Sequence, residues 1–218
     1  MFAIPNLKIA FSDKRKDILC KKDLEIFCTD IGLDYRYLIT INQIHSTNIV
    51  SANLPGNYDC YDGIINFGGR LVCSIKVADC LPIYFVNSIS KTIGLVHAGW
   101  RGLSKGIIKN YLEKACEEND GYSNTFVLIG PSIQNCCFRI QKDVVNYFDS
   151  RFYSRINDKY FQADLQKWAL SQILDSEIRN HHVYVSGDCT FCKEHKYESF
   201  RRDDENAGRM YAIIGWEK

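Results

Sequence analysis

Short runs rich in Val, Ile and Tyr recur through the first half of the chain, each cut off by Gly, Asn, Asp or Pro. This punctuation limits the fold more than any other feature, because runs so short fit sheet strands and are too short for helices. They are Tyr37 to Ile41, Gly63 to Asn66, Leu71 to Val77, Ile83 to Val86 and Thr92 to Val96. The period then changes. From Leu103 to Glu118 the apolar residues Leu103, Ile107, Ile108, Tyr111, Leu112 and Ala115 fall three and four apart, the spacing of a helix with one buried face. A strand-to-helix transition is therefore expected at His97 to Gly102.

Thr125 to Ile129 reads as a further buried strand, stopped by Gly130-Pro131. Asp164 to Ile178 repeats the helical period through Leu165, Trp168, Ala169, Ile173 and Leu174, with Asp164 suited to the helix N-terminus. His182 to Ser186 and Met210 to Trp216 read as strands, with the polar segment Gly187 to Gly208 between them. No repeat, low-complexity tract or linker divides the chain, so residues 1–218 are expected to form one domain. Strands crowd the beginning and no regular βαβ alternation appears, which favours an α+β layered sandwich of mixed sheets and helices over a doubly wound sheet. GxGxxG, GxxxxGK[ST] and GxSxG are absent.

With 218 residues, 46% of them apolar, the chain can bury one substantial core. Lys plus Arg (27) nearly cancel Asp plus Glu (26), which argues against a nucleic-acid or membrane partner and for a small-molecule substrate. Met1 to Phe11 lacks the features of a secretory signal and no apolar stretch could span a bilayer, so a cytoplasmic location is expected. The ten cysteines are then expected to be reduced thiols, with Cys20, Cys28, Cys73 and Cys116 serving as small buried hydrophobes.

Of the five histidines, His45 and His97 sit at the ends of predicted strands, and Cys80 lies between two others. Two imidazoles and a thiolate leave one tetrahedral position open, the arrangement of catalytic rather than structural zinc. The gaps of 35 and 17 residues match no short zinc motif, so the ordinary roles of a hydrogen-bonded histidine and a core cysteine stay open. Cys189-Thr-Phe-Cys192-Lys-Glu-His195 offers most of a second metal site, or a redox pair, but no fourth ligand is identifiable, and a structural or incidental use is expected. Cys136 and Cys137, neighbours that an ordinary backbone does not easily bridge, could place one thiol in an active cleft.

The runs Gln43-Ile-His45-Ser-Thr, Asp62-Gly-Ile-Ile, Ala78-Asp79-Cys80-Leu-Pro82, His97-Ala-Gly-Trp100-Arg101-Gly102, Gly130-Pro131-Ser-Ile and Ser199-Phe-Arg201-Arg202-Asp203 up to Gly208-Arg209-Met210 resemble the YfiH-like, laccase-domain family. They run in order from about residue 40 to the end of the chain. The resemblance implies an α+β sandwich in which His45, Cys80 and His97 are the metal ligands. It also implies zinc-dependent phosphorolysis of adenosine, inosine and methylthioadenosine, with adenosine deamination; an older family label is polyphenol oxidase or laccase. Where the family usually has Phe-Glu-Val, this chain has Phe138-Arg139-Ile140, a guanidinium in place of a carboxylate.

Each chemistry asks for particular side chains. Zinc lowers the pKa of a bound water to about 7, which suits attack on an electron-poor purine carbon. Deamination also needs an acid for the leaving ammonia. Asp79 and Asp62 are the candidates, or either orients His45 or His97 through a hydrogen bond. Phosphorolysis needs an anion pocket, for which Arg101, at the start of the predicted helix, and Arg202 are chosen, with Gln43 as a further substrate or phosphate contact. Arg202 has the rival reading of a solvated charge cluster with its neighbours.

Zn2+ is the expected cofactor and Cu2+ the alternative, with a purine nucleoside and phosphate as partners. A copper-dependent polyphenol oxidase shares the donor types, but a four-copper laccase draws on roughly ten histidines. A non-catalytic metal-binding regulatory protein is the third reading.

Overall fold

Strand β7 (Leu81–Asn87) explains why this chain needs two sheets. In the computed structural model, which describes residues 4–16, 18–117 and 121–217, Ile83 and Phe85 enter one apolar cluster while Tyr84 and Val86 enter another. Successive strand residues point to opposite faces, so a strand apolar throughout must be covered on both. It lies inside a six-stranded sheet ordered β13 (Val183–Val185), β9 (Thr125–Ile129), β7, β8 (Ile93–Ala98), β5 (Gly63–Asn66) and β3 (Ile49–Ser51).

One face of this sheet is covered by a five-stranded sheet ordered β1 (Leu7–Phe11), β14 (Met210–Trp216), β6 (Val72–Val77), β2 (Leu38–Asn42) and β4 (Gly56–Asp59). Ile39, Ile41, Ile75, Ala212 and Ile214 of this sheet meet Ile64, Tyr84, Val86 and Leu95 of the other in one core. The opposite face packs on helices α3 (Ile107–Cys116) and α5 (Leu165–Leu174), where Tyr111 stacks on Phe85 with ring centroids 4.1 Å apart. Helix α1 (Lys21–Asp30) covers the outer face of the five-stranded sheet with Leu24, Phe27 and Cys28. Each large apolar side chain so buried contributes roughly 2 kcal/mol. The result is an α+β sandwich of four layers, with a small sheet of β10 (Arg139–Gln141), β12 (Tyr160–Ala163) and β11 (Tyr153–Arg155) at its side.

The helix expected over Leu103 to Glu118 is two helices, α2 (Trp100–Ser104) and α3, and Glu118 lies outside the described residues. The break falls at Gly106, whose φ of +84° is left-handed and cannot continue a right-handed helix. Arg101 therefore rides on a five-residue turn rather than at the head of a long helix. The helix expected from Asp164 begins as read, with the Asp164 carboxylate accepting the Lys167 N–H at 2.8 Å. Two cysteines expected in the core, Cys20 and Cys116, are exposed; Cys28 and Cys73 are buried, and burial pushes the Cys28 thiol up to about 12. Helix α4 (Lys142–Val145) follows β10, and the polar stretch between the last two strands contains two short helical segments, α6 (Phe200–Asp203) and a 3-10 turn (Asp204–Asn206). Among the described residues no helix is long and apolar enough to cross a membrane.

Candidate metal centre

Strand ends from both sheets converge at one edge of the sandwich. In the β7–β8 pair Pro82 faces His97 and Leu81 faces Ala98, so Cys80, just before β7, arrives next to the His97 ring. His45 comes from the other sheet, in the turn that follows β2. The ligand atoms of His45, Cys80 and His97 lie within 4.8 Å of one another, and the two imidazoles meet edge to face with centroids 4.9 Å apart. A Cβ on Gly99 would stand 2.9 Å from the Cys80 sulfur, so a residue without a side chain is needed there for the thiol to hold its position.

Two carboxylates shape this centre from behind. Asp62, fully buried, accepts the backbone N–H groups of Ile44 (3.2 Å), His45 (3.0 Å) and Ser46 (2.6 Å), and the Ser46 hydroxyl at 2.8 Å. Those bonds hold His45 at a φ of +58°, a left-handed conformation that costs an ordinary residue about 1–2 kcal/mol. The same carboxylate lies 2.8 Å from His97 Nδ1. An ionised carboxylate only accepts, so Nδ1 carries the proton and Nε2 is left as the donor to a metal.

Asp79 does the equivalent work beside Cys80. Its own φ is +78°, and its carboxylate accepts from Thr190 Oγ1 (2.7 Å), Ser199 Oγ (3.0 Å) and the Arg201 N–H (2.6 Å). Both acids are thus committed to backbone turns.

The electrostatics follow from this packing. Burial alone would raise the Cys80 thiol, but the His97 charge and hydrogen bonds from His45 and His97 outweigh it and bring the pKa down to about 6. Burial works against the charged form of His97 too, yet Cys80 and Asp62 together raise it to about 9. Asp62 falls to about 2, its burial being overcome by hydrogen bonds from His97 and Ser46. Two imidazole nitrogens and a thiol held toward thiolate, with one imidazole fixed by a buried carboxylate, suit a borderline ion such as Zn2+.

In front of the donors opens a cavity of about 520 Å3, the size of a small-ligand site. Its wall carries Lys76, Arg101 and Arg209 and, among the described residues, no carboxylate. Arg101 lies over the Trp100 ring, 4.4 Å from its centroid. Gln43 lines the cavity, but its amide is paired with the backbone of Lys76, accepting the N–H and donating to the carbonyl at 2.8 Å each.

Arg202 is elsewhere. Its guanidinium ion-pairs with Asp203 at 2.7 Å and donates to the carbonyls of Thr190, Phe191 and Tyr197, behind the wall rather than in it. Neither the anion pocket nor the solvated cluster envisaged for it describes this position. Arg139 stacks on Tyr160 at 5.6 Å, also away from the cavity. Lys76 and Arg209 went unassigned in the sequence, although Arg209 immediately precedes β14 and Lys76 is the exposed residue near the end of an otherwise buried β6. A larger groove of about 640 Å3 beside α3 is lined by Asp59, Glu113 and Glu117, and among the described residues it gathers no convergent set of metal donors.

Against known proteins, the chain is 29% identical to the purine nucleoside phosphorylase YlmD of Geobacillus stearothermophilus, over 98% of this chain and 84% of that protein. It is 30% identical to a purine nucleoside phosphorylase of Aquifex aeolicus, over 70% of each. The crystal structure of YlmD from Geobacillus stearothermophilus superposes with a TM-score of 0.88 at 24% identity, covering 99% of this chain and 93% of that one. The Bacillus licheniformis hypothetical protein YfiH gives 0.88 at 20% identity, over 96% and 92%. Residues 1–217 match the sequence model of the multi-copper polyphenol oxidoreductase laccase family, and the chain belongs to that family.

Proposed function

We propose that this chain is a zinc-dependent, cytoplasmic purine nucleoside phosphorylase that cleaves adenosine, inosine and methylthioadenosine with phosphate. The observation that carries this reading is the cavity in which His45, Cys80 and His97 stand beside three cationic side chains and, among the described residues, no carboxylate. The relatives named purine nucleoside phosphorylase support it.

Phosphorolysis brings a doubly charged nucleophile to the sugar C1′, and Lys76, Arg101 and Arg209 are disposed to bind and orient it. Phe200, on the same wall, offers an apolar face for a base. His45, Cys80 and His97 would hold the metal, which supplies Lewis-acid polarisation of an oxygen it contacts. Asp62 fixes the His97 ring, and Asp79 fixes the approach to Cys80.

Adenosine deamination is the second activity of this reading, and it is less well served. Its proton donor was sought in Asp79 and Asp62, neither of which lines the cavity and each of which already accepts several hydrogen bonds. A copper polyphenol oxidase fits the family's description, but only two of the five histidines meet at the centre, too few for a multicopper site.

The test is purified protein with adenosine, with and without phosphate, its products separated by chromatography. Adenine and ribose 1-phosphate should form only with phosphate, and Arg209→Ala should raise KM for phosphate about tenfold, equivalent to roughly 1.4 kcal/mol. Inosine formed regardless of phosphate, with no ribose 1-phosphate even when phosphate is present, would replace the reading with a deaminase.

A further inference from the structure

A second set of donors lies outside the cavity. After β9 the chain makes a turn through Gln134 to Cys137, and after β13 it runs through Cys189 and Cys192. A parallel bridge pairs Ser132 with Cys189, and the Thr190 N–H donates to the Ser132 carbonyl at 3.1 Å, drawing the two loops together. Gln134 Nε2 adds a bond to the Ser186 carbonyl at 3.2 Å.

This pairing gathers the sulfurs of Cys136, Cys137, Cys189 and Cys192 within 4.8 Å of one another. Cys192 Sγ is 3.6 Å from that of Cys136 and 3.2 Å from that of Cys137. A tetrahedral zinc with bonds of about 2.3 Å sets its sulfurs about 3.8 Å apart, whereas a disulfide needs about 2.05 Å. His195, which follows the Cys189–Cys192 pair in sequence, is not in the cluster.

We propose that Cys136, Cys137, Cys189 and Cys192 form a second, structural zinc site of four thiolates, separate from the centre at His45, Cys80 and His97. Binding Zn2+ displaces the thiol protons to solvent and leaves the sulfur and metal oxidation states unchanged, so no oxidant or reductant takes part. Four sulfurs fill a tetrahedron, leaving no position for substrate. The site clips two loops that nothing else covalent joins. One of them carries Thr190, whose hydroxyl holds the Asp79 carboxylate beside Cys80. The clip therefore braces the wall of the cavity without entering it.

Zinc is counted by mass spectrometry on full-length protein purified under reducing conditions without chelator. Wild type should hold about two ions per chain. His45→Ala/His97→Ala should keep one, and X-ray absorption of that variant should give a shell of four sulfurs. Cys136→Ser/Cys192→Ser should also keep one, now with nitrogen in its shell. These counts are independent of activity, so failure of the phosphorylase reading leaves them standing. Should the serine variant not fold, the wild-type count and the sulfur-only shell of the histidine variant decide the matter alone. A folded histidine variant with no zinc would overturn the proposal. So would an intact mass two hydrogens short, with alkylation of a pair of these cysteines blocked until a reductant is added, since that would make the cluster a disulfide.

Discussion

At the scale of single residues, Asp62 carries more of the centre than any ligand does, because one carboxylate sets both the His45 turn and the His97 tautomer. Asp62→Asn keeps the shape and removes the charge, so it should lower stability by about 3 kcal/mol at neutral pH. The acid limb gives the sign. Asp62 is lowered from 3.8 to about 2 in the folded protein, so its contribution is whole above pH 3.8 and disappears as pH falls from there through 2. Urea unfolding of the two proteins should therefore show a gap that narrows over that window. A gap that stays constant with pH would contradict the role. His45, Cys80 and His97 drew notice by their places at or between predicted strand ends, but only the resemblance to the laccase-domain family marked them as one set of donors. Arg202 was misplaced because a run of charged residues looks the same on a surface and behind a cavity wall. The four-thiol cluster was illegible for a different reason: only the pairing of two distant loops brings Cys136 and Cys137 to Cys189 and Cys192.

At the scale of elements, the junction between α2 and α3 stores a specific backbone cost. Gly106 has nothing nearer to a prospective Cβ than Lys109 Cβ at 3.9 Å, so Gly106→Ala meets no clash and tests the left-handed φ alone. A loss of about 1 kcal/mol in chemical denaturation is expected. A stabilised variant would mean that one continuous helix forms instead. This junction also marks where periodicity misleads, since Leu103 and Ile107 keep the three-and-four spacing straight across it. The strands Gly63–Asn66, Thr125–Ile129 and Met210–Trp216 were readable to the residue because each holds an apolar run that ends against polar or turn-forming neighbours. Helix α1 buries only Leu24, Phe27 and Cys28, too few to set a period, and β3, β10 and β11, of three residues each, are shorter than any pattern.

At the scale of the whole molecule, a cationic wall that binds phosphate as proposed would make phosphate a stabiliser of the fold. Phosphate at a hundred times its dissociation constant should add about 2.7 kcal/mol, seen as a rise in Tm of roughly 5–10 °C. Chloride at matched ionic strength should give little, and an equal effect from both salts would count against a specific pocket. The larger consequence comes from where the centre is anchored. His45 belongs to the turn after a strand of the five-stranded sheet, while Cys80 and His97 belong to the six-stranded one. An ion bound by all three is thus a rivet through the sandwich, and its affinity and the cohesion of the two sheets are linked quantities. Whatever pries the sheets apart must loosen the ion, and by thermodynamic reciprocity the ion must resist that prying to the same degree.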